Sequence, residues 1–225
     1  PVVGVGPPGV RRRGGGVAAE LGEQESHRWR LPLPAGTFVR LTVEQEGVDV
    51  ELAWLDPAGE AVLAGVDRII GDRGPESVLA VADVAGLHTL EIRAYPYSHS
   101  GRYEAVVEAL APADDEARLA AQTYRRFRQA EGLVPAEQAA AWSEALEVWR
   151  RLGEALLEGE VLFRMGGGLF VAREFEPAVE WLEQAAEALE RAGERRWQAL
   201  ALNRAAVSLW QMGRLESGER AIALY

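Results

Sequence analysis

From Val17 to about Leu110 apolar positions alternate with polar ones, the period of a half-buried β-strand. In "TFVRLTVEQ", Val39, Leu41 and Val43 fall on one face, and Phe38, Arg40, Thr42 and Glu44 on the other. Comparable runs are "SHRWRL", "VDVELAWL", "AVLAGV", "SVLAVA", "LHTLEIRA" and "RYEAVVEAL". Between them lie the turn signals "PLPAG", "DPAGE", "GDRGPE", "DVAG" and "YPYSHSG". About seven or eight short strands with no helical interval predict an antiparallel β-sandwich. Residues 1–16 are Gly, Pro and Arg with little to bury, and are expected to form a disordered or poorly ordered lead-in.

The pattern changes at "APADD", residues 111–115. Pro112 ends the last strand, and Asp114 or Asp115 caps a helix with acidic residues in its first turn. Beyond it a period of about 3.6 predicts helices over roughly 114–131, 136–152, 154–172, 176–191 and 194–212, with another running to Tyr225. The connections are short, so neighbouring helices are expected to be antiparallel. The expected fold is therefore two-domain β + α: lead-in 1–16, sandwich 17–111 and helices 112–225.

The helices repeat. "LGE" at 152–154 recurs as "AGE" at 192–194, a shift that places Leu162 on Leu202, Leu169 on Leu209, Phe175 on Leu215 and Ala178 on Gly218. A two-helix period of about 40 residues marks a helical solenoid, whose hairpins bury their apolar faces only against neighbours. Leu162, Met165, Gly166, Leu169, Phe175, Ala178, Leu182 and Ala185 resemble the large–small signature of the tetratricopeptide repeat. The next repeat keeps Leu202, Leu209, Leu215 and Ile222, with Ala205 and Ala206 in the Met165 and Gly166 places; the preceding helix keeps Trp142 and Ala145. Glu190 stands where that family carries a proline, and "EGLVPAEQ" interrupts the first hairpin.

The run Gly166, Gly167, Gly168 lies inside a predicted helix, where each glycine costs about 1 kcal/mol relative to alanine. Gly166 is explained by a close crossing with Ala178 of the partner helix. Gly167 and Gly168 have no packing reason that the sequence supplies. A phosphate-cradling loop would need a strand before the glycines and Lys-Ser or Lys-Thr after them, and both are absent.

A second resemblance lies in the β-rich half. "ESHRWRLPLPAGTFVRLTVEQEGVDVELAWLDPAGE", with "GLHTLEIRA" and "GRYEAVVEAL" closing, is similar to the pre-peptidase C-terminal type of sandwich at the front of bacterial CHAT-domain proteins. In that family a tetratricopeptide array and a caspase-like peptidase follow. The resemblance implies a non-catalytic scaffold region, with a cysteine peptidase beyond Tyr225, in a bacterial protein that is exported, periplasmic or cytoplasmic. The chain starts without Met and stops at Tyr225 inside a helical pattern, so both ends read as cuts and the last repeat as truncated. Leu209, Leu215, Ile222 and Leu224 would then lack a covering neighbour, and weak self-association through that end is expected.

Composition narrows the classes further. The 225 residues are 48% hydrophobic and 26% charged, enough to build two cores. Net charge is −11, which disfavours nucleic acid, because that affinity comes largely from neutralised phosphates. All 24 basic residues are arginine, and Asn203 is the only asparagine. The absence of cysteine excludes disulfides, thiolate metal sites and a cysteine nucleophile on this chain. No apolar run is long enough to span a membrane.

Candidate chemistry is sparse. His27 and His88 alternate with apolar strand residues and read as surface or half-buried positions. His99 lies in a loop beside Ser98 and Ser100, but a Ser-His-Asp grouping with Asp72 or Asp83 has no nucleophile-elbow sequence behind it. Asp49, Asp56, Asp67 and Asp72 lack the dense ligand spacing of a calcium loop, and Asp56 in "DPAG" reads as the first residue of a β-turn. No catalytic residue, cofactor or metal is assigned.

Tetratricopeptide arrays bind extended peptides along the first helix of each repeat, and the resemblance carries that face onto Glu160, Phe163, Gly167, Phe170 and Val171. In the next repeat it falls on Leu200, Asn203, Val207, Trp210 and Gln211. Phe163, Phe170, Asn203, Val207 and Trp210 are the chosen contacts for a protein, a peptide or the chain's own downstream domain; an asparagine can both donate to and accept from a peptide backbone. The alternative is a carbohydrate- or surface-binding sandwich with a helical spacer. It requires Trp54, Tyr95 or Tyr97 exposed in one patch.

Overall fold

A computed structural model describes residues 11–13, 16–67 and 71–213. The alternating half forms strands β1 (Arg11–Arg13), β2 (Gly16–Leu21), β3 (Ser26–Leu33), β4 (Thr37–Glu46), β5 (Val50–Leu55), β6 (Ala61–Val66), β7 (Arg73–Ala82), β8 (Gly86–Ala94) and β9 (Gly101–Pro112). They build two antiparallel sheets, ordered β1-β2-β9-β4-β7 and β3-β8-β5-β6. Val39, Leu41 and Val43 are buried, as the alternation of β4 requires. Arg11–Arg13 pairs with Gly16–Ala18, so part of the expected lead-in is a strand.

Side chains from the two sheets meet at Tyr103. Its hydroxyl on β9 accepts a hydrogen bond from Trp29 Nε1 on β3 (3.0 Å) and pairs with His27 Nδ1 of the same strand at 2.8 Å. A buried tyrosine needs such partners, and burial pushes its pKa up. His27 and His88 are both buried, where the alternation alone placed them at or near the surface. His27 is held by Tyr103 and by Glu25 at 3.2 Å; His88 stacks on Trp54 with ring centroids 5.4 Å apart. Asp56 begins a turn as expected, its Oδ1 accepting from the backbone N–H of Ala58 and Glu60.

Helix α1 (Asp115–Gln129) starts where Asp114 Oδ1 accepts the backbone N–H of Ala117 at 2.8 Å. It packs on β7, β6 and β4, burying Tyr124 and Phe127 completely. Tyr124 donates its hydroxyl to Ser77 O on the outer edge of β7 (2.5 Å), and Arg128 Nε donates to the Tyr124 oxygen at 3.1 Å. Covering a terminal strand with a helix removes an edge that would otherwise invite pairing. The compact units consequently divide as Pro1–Gln129 and Ala130–Tyr225, one helix later than the change of period at residues 111–115.

The second unit opens with a short 3-10 turn, Ala130–Gly132, followed by α2 (Pro135–Leu152), α3 (Ala155–Val171), α4 (Phe175–Arg191) and α5 (Arg195–Gln211). Gly153 ends α2 with φ 71, the left-handed conformation that favours glycine. Trp142 and Ala145 of α2 are buried. Leu209, expected to lack a covering neighbour, is instead buried, in a cluster with Val179 and Ala206 against Met212, because α4 covers it. Leu215, Ile222 and Leu224, expected to be uncovered, lie outside the described residues.

Candidate partner-binding face of the helical unit

Glycines set the spacing of these helices. A Cβ at Gly166 would lie 2.7 Å from Leu182 Cγ and 3.2 Å from the Leu182 backbone nitrogen. At Gly159 it would lie 2.7 Å from Leu189 Cγ. The two glycines of α3 are about two helical turns apart, as are the two leucines of α4, and the crossed pairing makes the helices antiparallel. The close approach at Gly166 is therefore to Leu182, not to Ala178 as the repeat register suggested. Gly159 escaped the sequence reading, although its two-turn distance from Gly166 marks the same face.

Gly167 has a different purpose. A Cβ there would lie 2.8 Å from Nη1 of Arg204 on α5, while Gly168 has nothing within 4 Å. The guanidinium of Arg204 also lies over the Phe163 ring, 4.6 Å from its centroid. Burial lowers the Arg204 pKa, and no carboxylate pairs with it among the described residues. A desolvated cation without an acid is costly unless an aromatic face or a ligand compensates. Elsewhere acids do compensate. Arg164 donates to the fully buried Glu160 (3.2 Å) and pairs with Glu131 at 3.4 Å; Glu158 takes both Arg150 and Arg191.

The five chosen contacts separate into two groups. Phe163 is buried, edge-on to Trp197 with centroids 5.9 Å apart, so packing of α3 on α5 uses it fully. It supports the face from below and offers a ligand no surface. Phe170 is half-buried, edge-on to Phe175, and Val207 is half-buried. Asn203 is exposed, and Trp210 is 70% exposed. Val171, at the end of α3, is 81% exposed. Gly167 against Arg204 aligns α3 with α5, and one turn further along come Phe170 and Val171 on one helix and Val207 on the other. Arg204 was missed because its neighbour Asn203 occupies the position that the family spacing points to.

The residues of the alternative site divide between the core and one loop. Trp54 is fully buried against His88, whereas Tyr97 is fully exposed, at φ 71 in the β8–β9 loop, with Tyr95 exposed two residues before it. No helix among the described residues is long and apolar enough to cross a membrane, and no group of His, Asp and Glu among them is arranged to hold a metal ion.

No family model matches the chain, and no curated protein matches it. Among solved structures it is similar to the crystal structure of the coconut allergen cocosin, at 12% identity and a TM-score of 0.21. That match covers 63% of this chain and 38% of the other, and it carries no argument about fold or function.

Proposed function

We propose that this chain is a non-catalytic interaction region, whose helices form a tetratricopeptide-like solenoid that holds a peptide or a partner domain on the α3–α5 face. The observation that carries the reading is the 70% exposure of Trp210 on the same helix as Arg204. Tryptophan and arginine are among the residue types most enriched at the anchors of protein interfaces. Phe163 beneath Arg204 holds the guanidinium in place, Phe170, Val171 and Val207 extend the apolar strip, and Asn203 adds an amide. The order of the units, sheets first and helices after, supports placing the region in front of a CHAT-type peptidase. Finding no His and Cys pair in a mixed α/β domain encoded beyond Tyr225 would remove that part of the reading.

The binding part is tested by selecting peptides from a random display library on the full chain, then measuring the selected peptides on Trp210→Ala. The expected result is binding at least ten-fold weaker with an unchanged melting temperature. Selected peptides that bind Trp210→Ala as tightly as the original chain would refute it.

A further inference from the structure

The packing of α3 on α5 leaves the Arg204 side chain without a counter-ion. Its guanidinium is half-buried, seated over the Phe163 ring and beside Gly167. None of its N–H groups has a hydrogen-bond or ion-pair partner among the described residues. Arg128 and Arg164 are more deeply buried, and each of them has oxygen acceptors. A ring face returns about 0.5–2 kcal/mol to a cation but accepts no hydrogen bond from the edge of the guanidinium. In a chain where 35 acidic residues face 24 arginines, this cation is nevertheless left without an acid.

Gly167 keeps the seat open. A Cβ there would lie 2.8 Å from Nη1 of Arg204, so any larger residue would fill the space beside the guanidinium. Helix propensity alone would favour alanine at this position by about 1 kcal/mol.

Arg204 also stands partway along a row of apolar side chains on α5. Leu200, 36% exposed, lies one turn before it, half-buried Val207 one turn after, and Trp210, 70% exposed, about two turns after. At 3.6 residues per turn these four positions fall within about a third of the helix circumference. Along the axis Arg204 is about 6 Å from Leu200 and about 9 Å from Trp210, the reach of roughly two and three extended residues. The complement of such a row is an extended peptide with an apolar residue at each end and a carboxylate between them. The acid is internal because the row continues on both sides of Arg204.

We propose that the partner held on this face supplies an internal aspartate or glutamate to Arg204, with one apolar residue two positions away over Leu200 and another three positions away over Val207 and Trp210. The inference rests on the peptide-binding reading of the same face and adds the charge and spacing of the ligand. A guanidinium takes a carboxylate through two parallel N–H···O bonds, which supplies the missing acceptors. Phe163 already holds the guanidinium in place, so little side-chain freedom is lost on binding.

The probe is a pool of hexapeptides with acetylated and amidated ends, leucine or tryptophan at the first and sixth positions, glutamate at the third and random uncharged residues elsewhere. A second pool carries the glutamate at the fourth position, for the opposite chain direction. Matched pools carry glutamine in its place, so the glutamate is the only carboxylate that differs. Binding to the full chain is read by amide chemical shifts in α3 and α5. The proposal expects saturable shifts with a glutamate pool, and affinity at least about ten-fold weaker with the matched glutamine pool. Arg204→Met should bind the two within about two-fold of each other, whereas Trp210→Ala should weaken both and keep their ratio. An unchanged melting temperature shows that Arg204→Met is folded, and the comparison of pools on the original chain needs no variant. Equal binding of the glutamate and glutamine pools, or a glutamate preference that survives in Arg204→Met, would overturn this inference and leave the peptide-binding reading standing. No saturable shift with any pool would overturn both.

Discussion

Replacing Gly166 by alanine puts one methyl group into the α3–α4 seam, and the structure fixes what it meets. The new Cβ would sit 2.7 Å from Leu182 Cγ, 3.1 Å from Cδ2 and 3.2 Å from the backbone nitrogen. Ordinary carbon contacts are about 3.5–4.0 Å, so α4 must retreat by roughly 0.8 Å or Leu182 must leave its rotamer. Overpacking of this kind costs about 1–3 kcal/mol. Alanine returns about 1 kcal/mol of helix propensity, so the net change is a loss of up to about 2 kcal/mol. Gly168→Ala is the control, since nothing lies within 4 Å of its Cβ and only the propensity gain remains. The propensity terms cancel between the two variants, and the packing cost of about 1–3 kcal/mol is left. For a unit of this size that is a gap of at least about 4 °C in melting temperature. Thermal unfolding followed by helical circular dichroism measures it, and Gly166→Leu should widen it. If Gly166→Ala melts level with Gly168→Ala or above it, the helices do not cross at Gly166 and the seam is misplaced.

Other expectations test separate parts of the molecule. Tyr103→Phe strands the buried Trp29 Nε1 and removes one of the two partners of His27, so urea unfolding should show a loss of about 1–3 kcal/mol; an unchanged midpoint would mean that this bridge does not hold the sheets. Asp49 has a raised pKa, chiefly from burial and then from the charge of Asp72, and its Oδ1 is buried without a partner. A raised folded-state pKa means that its stabilising contribution is complete below the unfolded value and is lost as pH rises through the folded one. Asp49→Asn should therefore raise the melting temperature at pH 7, with the gain shrinking toward zero in acid; an equal gain at both ends of the titration would rule out ionisation as the cause. Arg204→Met keeps most of the stem over Phe163 and Gly167 while removing a partly desolvated cation, so stability should hold or rise by about 1 kcal/mol; a loss above about 2 kcal/mol would mean that the guanidinium is structural.

The sequence by itself determined the local elements. A period of two or 3.6 depends only on residues within one strand or helix, so the faces of β4 and the bounds of the five helices among the described residues were legible to within about two residues. The same locality hid what packs on what. Tyr103 lies 76 positions from His27, and nothing in either strand announces the other, so the burial of His27 was missed. The period marks the start of a helix at Asp115, yet only the open edge of β7 decides that α1 packs with the sheets. Gly166 was readable as a close crossing, because a glycine among good helix formers needs a reason. Its partner Leu182, the matching Gly159, and the guanidinium that fills the space at Gly167 appear only when α3, α4 and α5 are side by side. Phe163 and Trp210 look alike as large apolar side chains at helical spacing; burial separates them, because it depends on which neighbouring helix reaches each one, and that neighbour comes from elsewhere in the chain.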